Sequence, residues 1–268
     1  MISTDFHIHT NLSLCAKREA TLEGYIEVGK KLGLRKMGFA DHFWDATIPY
    51  VENSKCQSFY GTQDLNHLLE LKPKIKEYGE NTPRLYFGCE VDYSYKLGAP
   101  AISEAAAEQF DFIIVPNSHT HLVMPEELYQ PYEKHAEFMV KAYDDIVSCP
   151  LKKYITAVAH PFEAVCCPYP RAELLKLISD DTFKRLFTKT AEAGIAFEVN
   201  QECIGGALKS EVEWEQRLRM FGIARDMGCK FIFGSDAHSH LHLEVLQNTK
   251  ELMEALSITE ADIADIAR

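Results

Sequence analysis

No run of apolar residues in these 268 positions approaches the eighteen or more that a membrane-spanning helix needs. Met1 runs straight into Ile2-Ser3-Thr4-Asp5-Phe6-His7, without a basic region or an apolar stretch, which predicts no secretory signal. There is no low-complexity linker and no repeated motif. Positive charge is in short supply: 28 Lys and Arg stand against 40 Asp and Glu, a net charge of -12. That balance argues against the broad basic face that nucleic acid or an anionic membrane would require, and it leaves a small molecule as the expected partner. An anionic substrate stays compatible with an acidic chain if bound cations dominate the local field. The eight cysteines include no CxxC and are scattered over a long chain, which predicts reduced thiols and a cytoplasmic location. The adjacent Cys166 and Cys167, in a proline-rich stretch, are read as simple thiols.

The composition that is present, 46% hydrophobic and 25% charged, is that of an ordinary globular protein with a sizeable core. The length suits one domain over residues 1–268, because α/β barrels reach this size undivided. Short apolar runs alternate with longer amphipathic stretches, the pattern of βα units. The runs predict seven strands: Ile2 to His7, Lys36 to Asp41, Arg84 to Glu90, Phe110 to Pro116, Tyr154 to His160, Ile195 to Asn200 and Lys230 to Ser235. Helical spacing predicts helices over Thr21 to Leu32, Thr62 to Tyr78, Glu126 to Val147, Asp180 to Ala193 and Glu211 to Met227. Gly33, Gly79, Gly194 and Gly228 follow closely, where a helix end favours a left-handed residue. A mostly parallel sheet wrapped by helices follows, closed as an irregular barrel or left open.

Residues able to bind metal fall at the ends of these strands. His7 and His9 close the first, Asp41 and His42 the second, and Glu90 the third; His119 and His121 follow the fourth. His160 closes the fifth, Glu198 lies late in the sixth, and Asp236 and His238 follow the seventh. In a parallel barrel all C-terminal strand ends share one face, so these residues converge there. His7 and His9, two apart on a strand, point to the same side. Imidazole and carboxylate suit zinc, iron or manganese, and a bridging Glu90 can hold two cations together. Two close cations suit phosphate-ester hydrolysis, because they activate water and clamp the phosphoryl oxygens.

These segments resemble the polymerase and histidinol phosphatase (PHP) superfamily of metal-dependent phosphoesterases along nearly the whole chain. Asp5-Phe6-His7-Ile8-His9-Thr10, Ala40-Asp41-His42-Phe43 and Gly88-Cys89-Glu90-Val91-Asp92-Tyr93 are similar to its first three motifs. Asn117-Ser118-His119, Ala159-His160-Pro161, Phe197-Glu198-Val199-Asn200 and Gly234-Ser235-Asp236-Ala237-His238 are similar to the later ones, in order. The resemblance implies a distorted (β/α)7 TIM-like barrel with two or three divalent metal ions. One ion would take His7, His9, Glu90 and Asp236; a second Glu90, His119 and His160; a third His42, His238 and the residue at position 15. The family usually has aspartate or histidine at that last place, where this chain has Cys15. A thiolate biases such a site toward zinc or iron. Glu198 is expected behind the ligands, not among them.

Size and the DHF and EVDY segments make the chain most similar, within that superfamily, to the histidinol-phosphate phosphatases. The expected reaction is attack of a metal-bound hydroxide on a small phosphomonoester such as L-histidinol phosphate, with Glu90, Asp236 and His238 as the catalytic residues. The arginine those enzymes commonly carry after EVN is absent; Lys209, Arg171 and Lys17 are the cationic candidates for the phosphate. His121, His240 and His242 neighbour proposed ligands and are candidates for substrate contact, while His67 and His135 receive no role. Two other readings remain. One is an amidohydrolase-type barrel, which seven strands and Glu90 oppose; the other is a degenerate PHP domain that serves as a binding module, which the near-complete ligand set opposes.

Overall fold

The computed structural model describes residues 2–164 and 166–268, with the backbone alone at residues 202 and 203. Seven parallel strands stand in chain order around it: β1 (Thr4–Ile8), β2 (Lys36–Phe43), β3 (Arg84–Val91), β6 (Phe112–Pro116), β7 (Ala157–Ala159), β8 (Ala196–Asn200) and β9 (Phe231–Gly234). A two-residue antiparallel ribbon, β4 (Tyr93–Ser94) with β5 (Ala99–Pro100), is inserted after β3. Every strand is lined with buried residues, as expected when both faces of a parallel sheet are covered. The ring is nearly closed. Ile8 bridges Ala237 in parallel, the Asp236 amide donates to the His7 carbonyl at 2.8 Å, and the His9 amide donates to the Ala237 carbonyl at 3.1 Å. Asp5 ties the same seam from inside, accepting from the amides of His7 (3.1 Å) and Ser235 (3.0 Å). The distorted barrel expected from the sequence is the fold observed.

The helices α1 (Leu22–Lys31), α9 (Asp180–Glu192) and α11 (Glu211–Asp226) lie where the spacing places them. Thr21, Ser179 and Ser210 cap their first turns through side-chain oxygens. The four glycines adopt φ of 72°, 65°, 69° and 84°, as the helix ends require. Two helices are shorter than the periodicity implies. Thr62 to Tyr78 divides into α3 (Leu65–Leu68) and α4 (Lys72–Tyr78), because Pro73 lacks the amide a continuous helix needs and starts a new first turn instead. Glu126 to Val147 likewise divides at Pro131, into a 3-10 turn over Glu126–Leu128 and α7 (Lys134–Ser148). The fifth strand shortens to Ala157–Ala159, since Pro150–Tyr154 forms a 3-10 turn.

The remaining helices are short: α2 (Ser54–Tyr60), α5 (Glu104–Ala107), α6 (Thr120–Val123), α8 (Arg171–Lys176), α10 (Gln201–Ala207) and α12 (Thr249–Ala255). One or two turns are too short to display a helical period in the sequence. Several pack at the C-terminal rim and shape the mouth of the barrel. No described helix is long and apolar enough to cross a membrane.

Candidate metal centre

Glu90, at the inner end of β3 and 1% exposed, is the hub of the barrel mouth. One oxygen lies 2.8 Å from His160 Nε2 and 3.8 Å from His119 Nε2. The other lies 2.9 Å from His42 Nδ1, 3.5 Å from His7 Nε2 and 3.6 Å from His9 Nε2. Asp236 closes the ring opposite, with one oxygen 3.1 Å from His9 Nε2 and 3.5 Å from His7 Nε2. Asp236 and His160 both hold positive φ, 55° and 24°, a conformation that non-glycine residues keep when the surrounding structure imposes it.

Among the described residues, four interlocking triads have donor atoms within 4.8 Å of one another: His7, His9 and Glu90; His7, His160 and Asp236; His42, Glu90 and His119; His9, His42 and His238. Eight of the nine expected ligands are thereby gathered. The ninth, Cys15, belongs to none of the triads; it lies at the cavity wall, where its thiol interacts with His42 and His238. His42 belongs to two of these triads, one with His238 and one in which its Nδ1 faces Glu90 beside His119.

The electrostatics follow from burying many charges together. Burial works against ionising Glu90 and Asp236, yet the surrounding imidazoles hold both well below the usual carboxylate range. Burial also opposes protonation of His7, but Glu198, Asp236 and Glu90 lift it well above its ordinary value. His9 goes the other way: burial first, then repulsion from His238 and His42, holds it well below, with its lone pair available. Burial would raise the Cys15 thiol, but His42 and His238 bring it down to about 6. His238 rises to about 9 against burial, through Cys15 and Asp236. Burial pushes Asp5 up to about 7, and its Oδ2 has no hydrogen-bond partner.

Behind the donors stands a layer that orients them. Glu198 Oε1 lies 2.8 Å from His7 Nδ1, and the same carboxylate accepts the His160 amide, so it stands behind these two histidines. Ser118 Oγ lies 2.7 Å from His160 Nδ1, Ser13 Oγ 3.2 Å from His9 Nδ1, and Asp92 Oδ2 2.9 Å from His119 Nδ1. Fixing one ring nitrogen selects which nitrogen faces the centre. Asp41, at a strand end, is not in any triad. It accepts from the Thr10 amide and hydroxyl and the Ser13 hydroxyl, each at 2.7 Å, and anchors the loop after β1. Ser13, Ser118 and Asp92 escape a reading limited to ligand-type residues at strand ends, although Ser118 and Asp92 sit inside motifs quoted above.

A cavity of about 300 Å³ opens beside the cluster, lined by Cys15, His42, Glu90, His119, His160, Asp236 and His238 together with Phe59, His121, Leu122, Glu163 and Arg171. Arg171, from α8, is the one Lys or Arg among these lining residues; its Nη1 pairs with Glu163, which also pairs with Arg217, buried in α11. Lys209 and Lys17 are exposed and line no part of the cavity. Lys209 is carried past the far end of α10, because the residues after β8 coil into a helix in place of a loop over the mouth. His121 does face the cavity, whereas His240 and His242 lie outside it; His240 Nδ1 is held by the Glu19 carbonyl. His67 and His135 make structural contacts, with the Leu12 carbonyl (2.8 Å) and the Thr120 hydroxyl (3.0 Å). The donor set, hard carboxylates with imidazoles around one shared glutamate, fits divalent zinc, iron or manganese.

The fold is a distorted, seven-stranded TIM-like barrel with a cluster of metal-donor-type side chains at its mouth. Its solved counterparts include the histidinol phosphate phosphatase of Lactococcus lactis subsp. lactis, in complex with zinc, L-histidinol and phosphate. The two are 13% identical, with a TM-score of 0.68 over 96% of this chain and 95% of that one. A second, from Listeria monocytogenes and named as a candidate histidinol phosphatase, is 12% identical with a TM-score of 0.66, over 90% and 97%. No protein-family model matches the sequence, and no curated protein does.

Proposed function

We propose that this chain is a single-domain, metal-dependent phosphoesterase of the PHP type that hydrolyses a small phosphomonoester, with L-histidinol phosphate as the first substrate to try. The observation that carries the proposal is the set of interlocking donor triads around Glu90 at the mouth of a seven-stranded barrel, beside a cavity sized for a small ligand. Seven strands and a glutamate at the third strand end favour this reading over an amidohydrolase-type barrel. The eight gathered donors favour turnover over a degenerate binding module. The L. lactis counterpart, whose complex holds zinc, L-histidinol and phosphate, supports the substrate class. The free state of the seven described cysteines agrees with a cytoplasmic enzyme.

His7, His9, His42, His119, His160 and His238 would hold the ions with Glu90 and Asp236, and Cys15 would complete the set at the cavity wall. Bound there, the ions would supply an activated water and neutralise the phosphoryl oxygens. Glu90 and Asp236 keep their charge at neutral pH and so offset the cations. Arg171, with its fork held by Glu163, presents a planar donor to the phosphoryl group. His121 faces the cavity where the departing alkoxide needs a proton.

Phosphate release from L-histidinol phosphate and a panel of other small phosphomonoesters, with metal content determined on the same sample, tests the reading. Two or three ions per chain and turnover of at least one ester are expected, with Glu90→Gln losing at least about a hundredfold, the scale of removing a central ligand. Preference for L-histidinol phosphate would place the enzyme in histidine biosynthesis. Bound metal without cleavage of any ester would remove the phosphoesterase reading.

A further inference from the structure

Helix α2 and the residue that follows β3 meet just behind His119. Asp92 is fully buried there, and its Oδ2 is shared between the Tyr60 hydroxyl, which donates to it, and His119 Nδ1 at 2.9 Å. The far nitrogen of His119 then points to Glu90. Tyr60 is itself fully buried, its ring packed at a tilt against Trp44, so the hydroxyl has a fixed position. The adjacent Phe59 belongs to the same short helix, lines the cavity and lies edge-on to His42 at 5.0 Å. One helix therefore touches the cavity with one residue and the back of a donor histidine with the next.

We propose that Tyr60 and Asp92 form a positioning pair that holds His119 with Nδ1 protonated and Nε2 free, so that α2 controls occupancy of the ion His119 would bind. The inference rests on the metal-centre reading. A carboxylate accepting from one ring nitrogen fixes the tautomer and makes the other nitrogen a stronger donor to a cation. The Tyr60 hydroxyl keeps the carboxylate oriented, because the other oxygen, Asp92 Oδ1, has no hydrogen-bond partner to do so. Glu198 plays the corresponding part for His7 from a barrel strand alone; behind His119, Asp92 follows β3 and is itself backed by Tyr60 from α2, outside the barrel ring.

The test is zinc titration of chelator-stripped full-length protein against a chromophoric competitor, with cobalt absorption spectra of the same proteins. Asp92→Asn is expected to weaken one ion about 10- to 100-fold and leave the others unchanged. Tyr60→Phe should weaken the same ion by a smaller factor, and both should alter the same component of the cobalt spectrum. The metal-free variants should keep a single cooperative unfolding transition, with a midpoint lowered only by the loss of one buried hydrogen bond. Unchanged zinc affinity and cobalt spectrum in both variants would overturn the inference, as would a loss of stability in the metal-free state with affinity intact. Parent protein that binds zinc but cleaves no ester would refute the phosphoesterase reading and leave this inference standing. Parent protein that binds no metal would end both.

Discussion

Cys15 shows how a single residue can depart from a family pattern and still find a place in the site. The sequence marks it as the odd member of the third ligand set, and the folded chain lays its thiol against two imidazoles, His42 and His238. In metal-free protein this makes a thiolate facing an imidazolium between about pH 6, where the thiolate takes a proton, and about pH 9, where His238 loses one. The thiolate absorbance of metal-free protein, taken as the difference from Cys15→Ser, should rise with a midpoint near 6; a midpoint above 8 would mean that the histidines do not act on it. The linkage has a sign. A thiol lowered on folding contributes stability at high pH that fades as pH falls through 6, so Cys15→Ser should cost the metal-free protein more at pH 8 than at pH 5 in chemical unfolding. Lys209 is the opposite case. Its charge is visible in the sequence, but its direction depends on α10, whose two turns leave no readable period.

At the scale of elements, the strands were readable because a parallel strand covered on both faces is an apolar run bounded by polar residues. The broken helices were less so, since periodicity continues across Pro73 and Pro131 while the backbone does not. Gly234 at the end of β9 carries a requirement of another kind. A Cβ there would collide with the Glu198 carboxylate and come within 2.6 Å of the His7 Cβ. Glu198 reaches across this gap to orient His7, so a glycine on one strand is what lets a carboxylate on the next support a ligand on a third. Gly234→Ala is expected to lower stability by about 1–3 kcal/mol, the usual range for forcing one extra carbon into a packed interior. It should also reduce bound metal per chain; full metal content with an unchanged unfolding midpoint would contradict this account.

For the whole molecule, the proposed metal centre predicts that the clustered carboxylates and imidazoles weaken the fold without cations and strengthen it with them. Ligand binding to the folded state alone adds about 2.7 kcal/mol at a hundredfold excess over Kd, and for a chain of this size each kcal/mol shifts the melting temperature by about 2–4 °C. Stripping with chelator should therefore lower the melting temperature by about 5–10 °C, and readdition of zinc should restore it. Calorimetry that finds the same transition with and without metal would show that the cluster does not bind cations tightly. By itself the sequence determined the seven parallel strands and the donor-type residues at their ends, while closure into a barrel came only as what the family resemblance implies. Apolar runs and strand-end positions are local, and the shared face of a parallel barrel turns them into a site without further information. The tertiary structure alone decided how the donors group, with His42 turned to Glu90, and which cation reaches the cavity. It also decided that Ser13, Ser118, Asp92 and Tyr60 stand behind the histidines. Those depend on side-chain directions and on short helices packed at the rim, where contacts between residues far apart in the chain, not local periodicity, set the geometry.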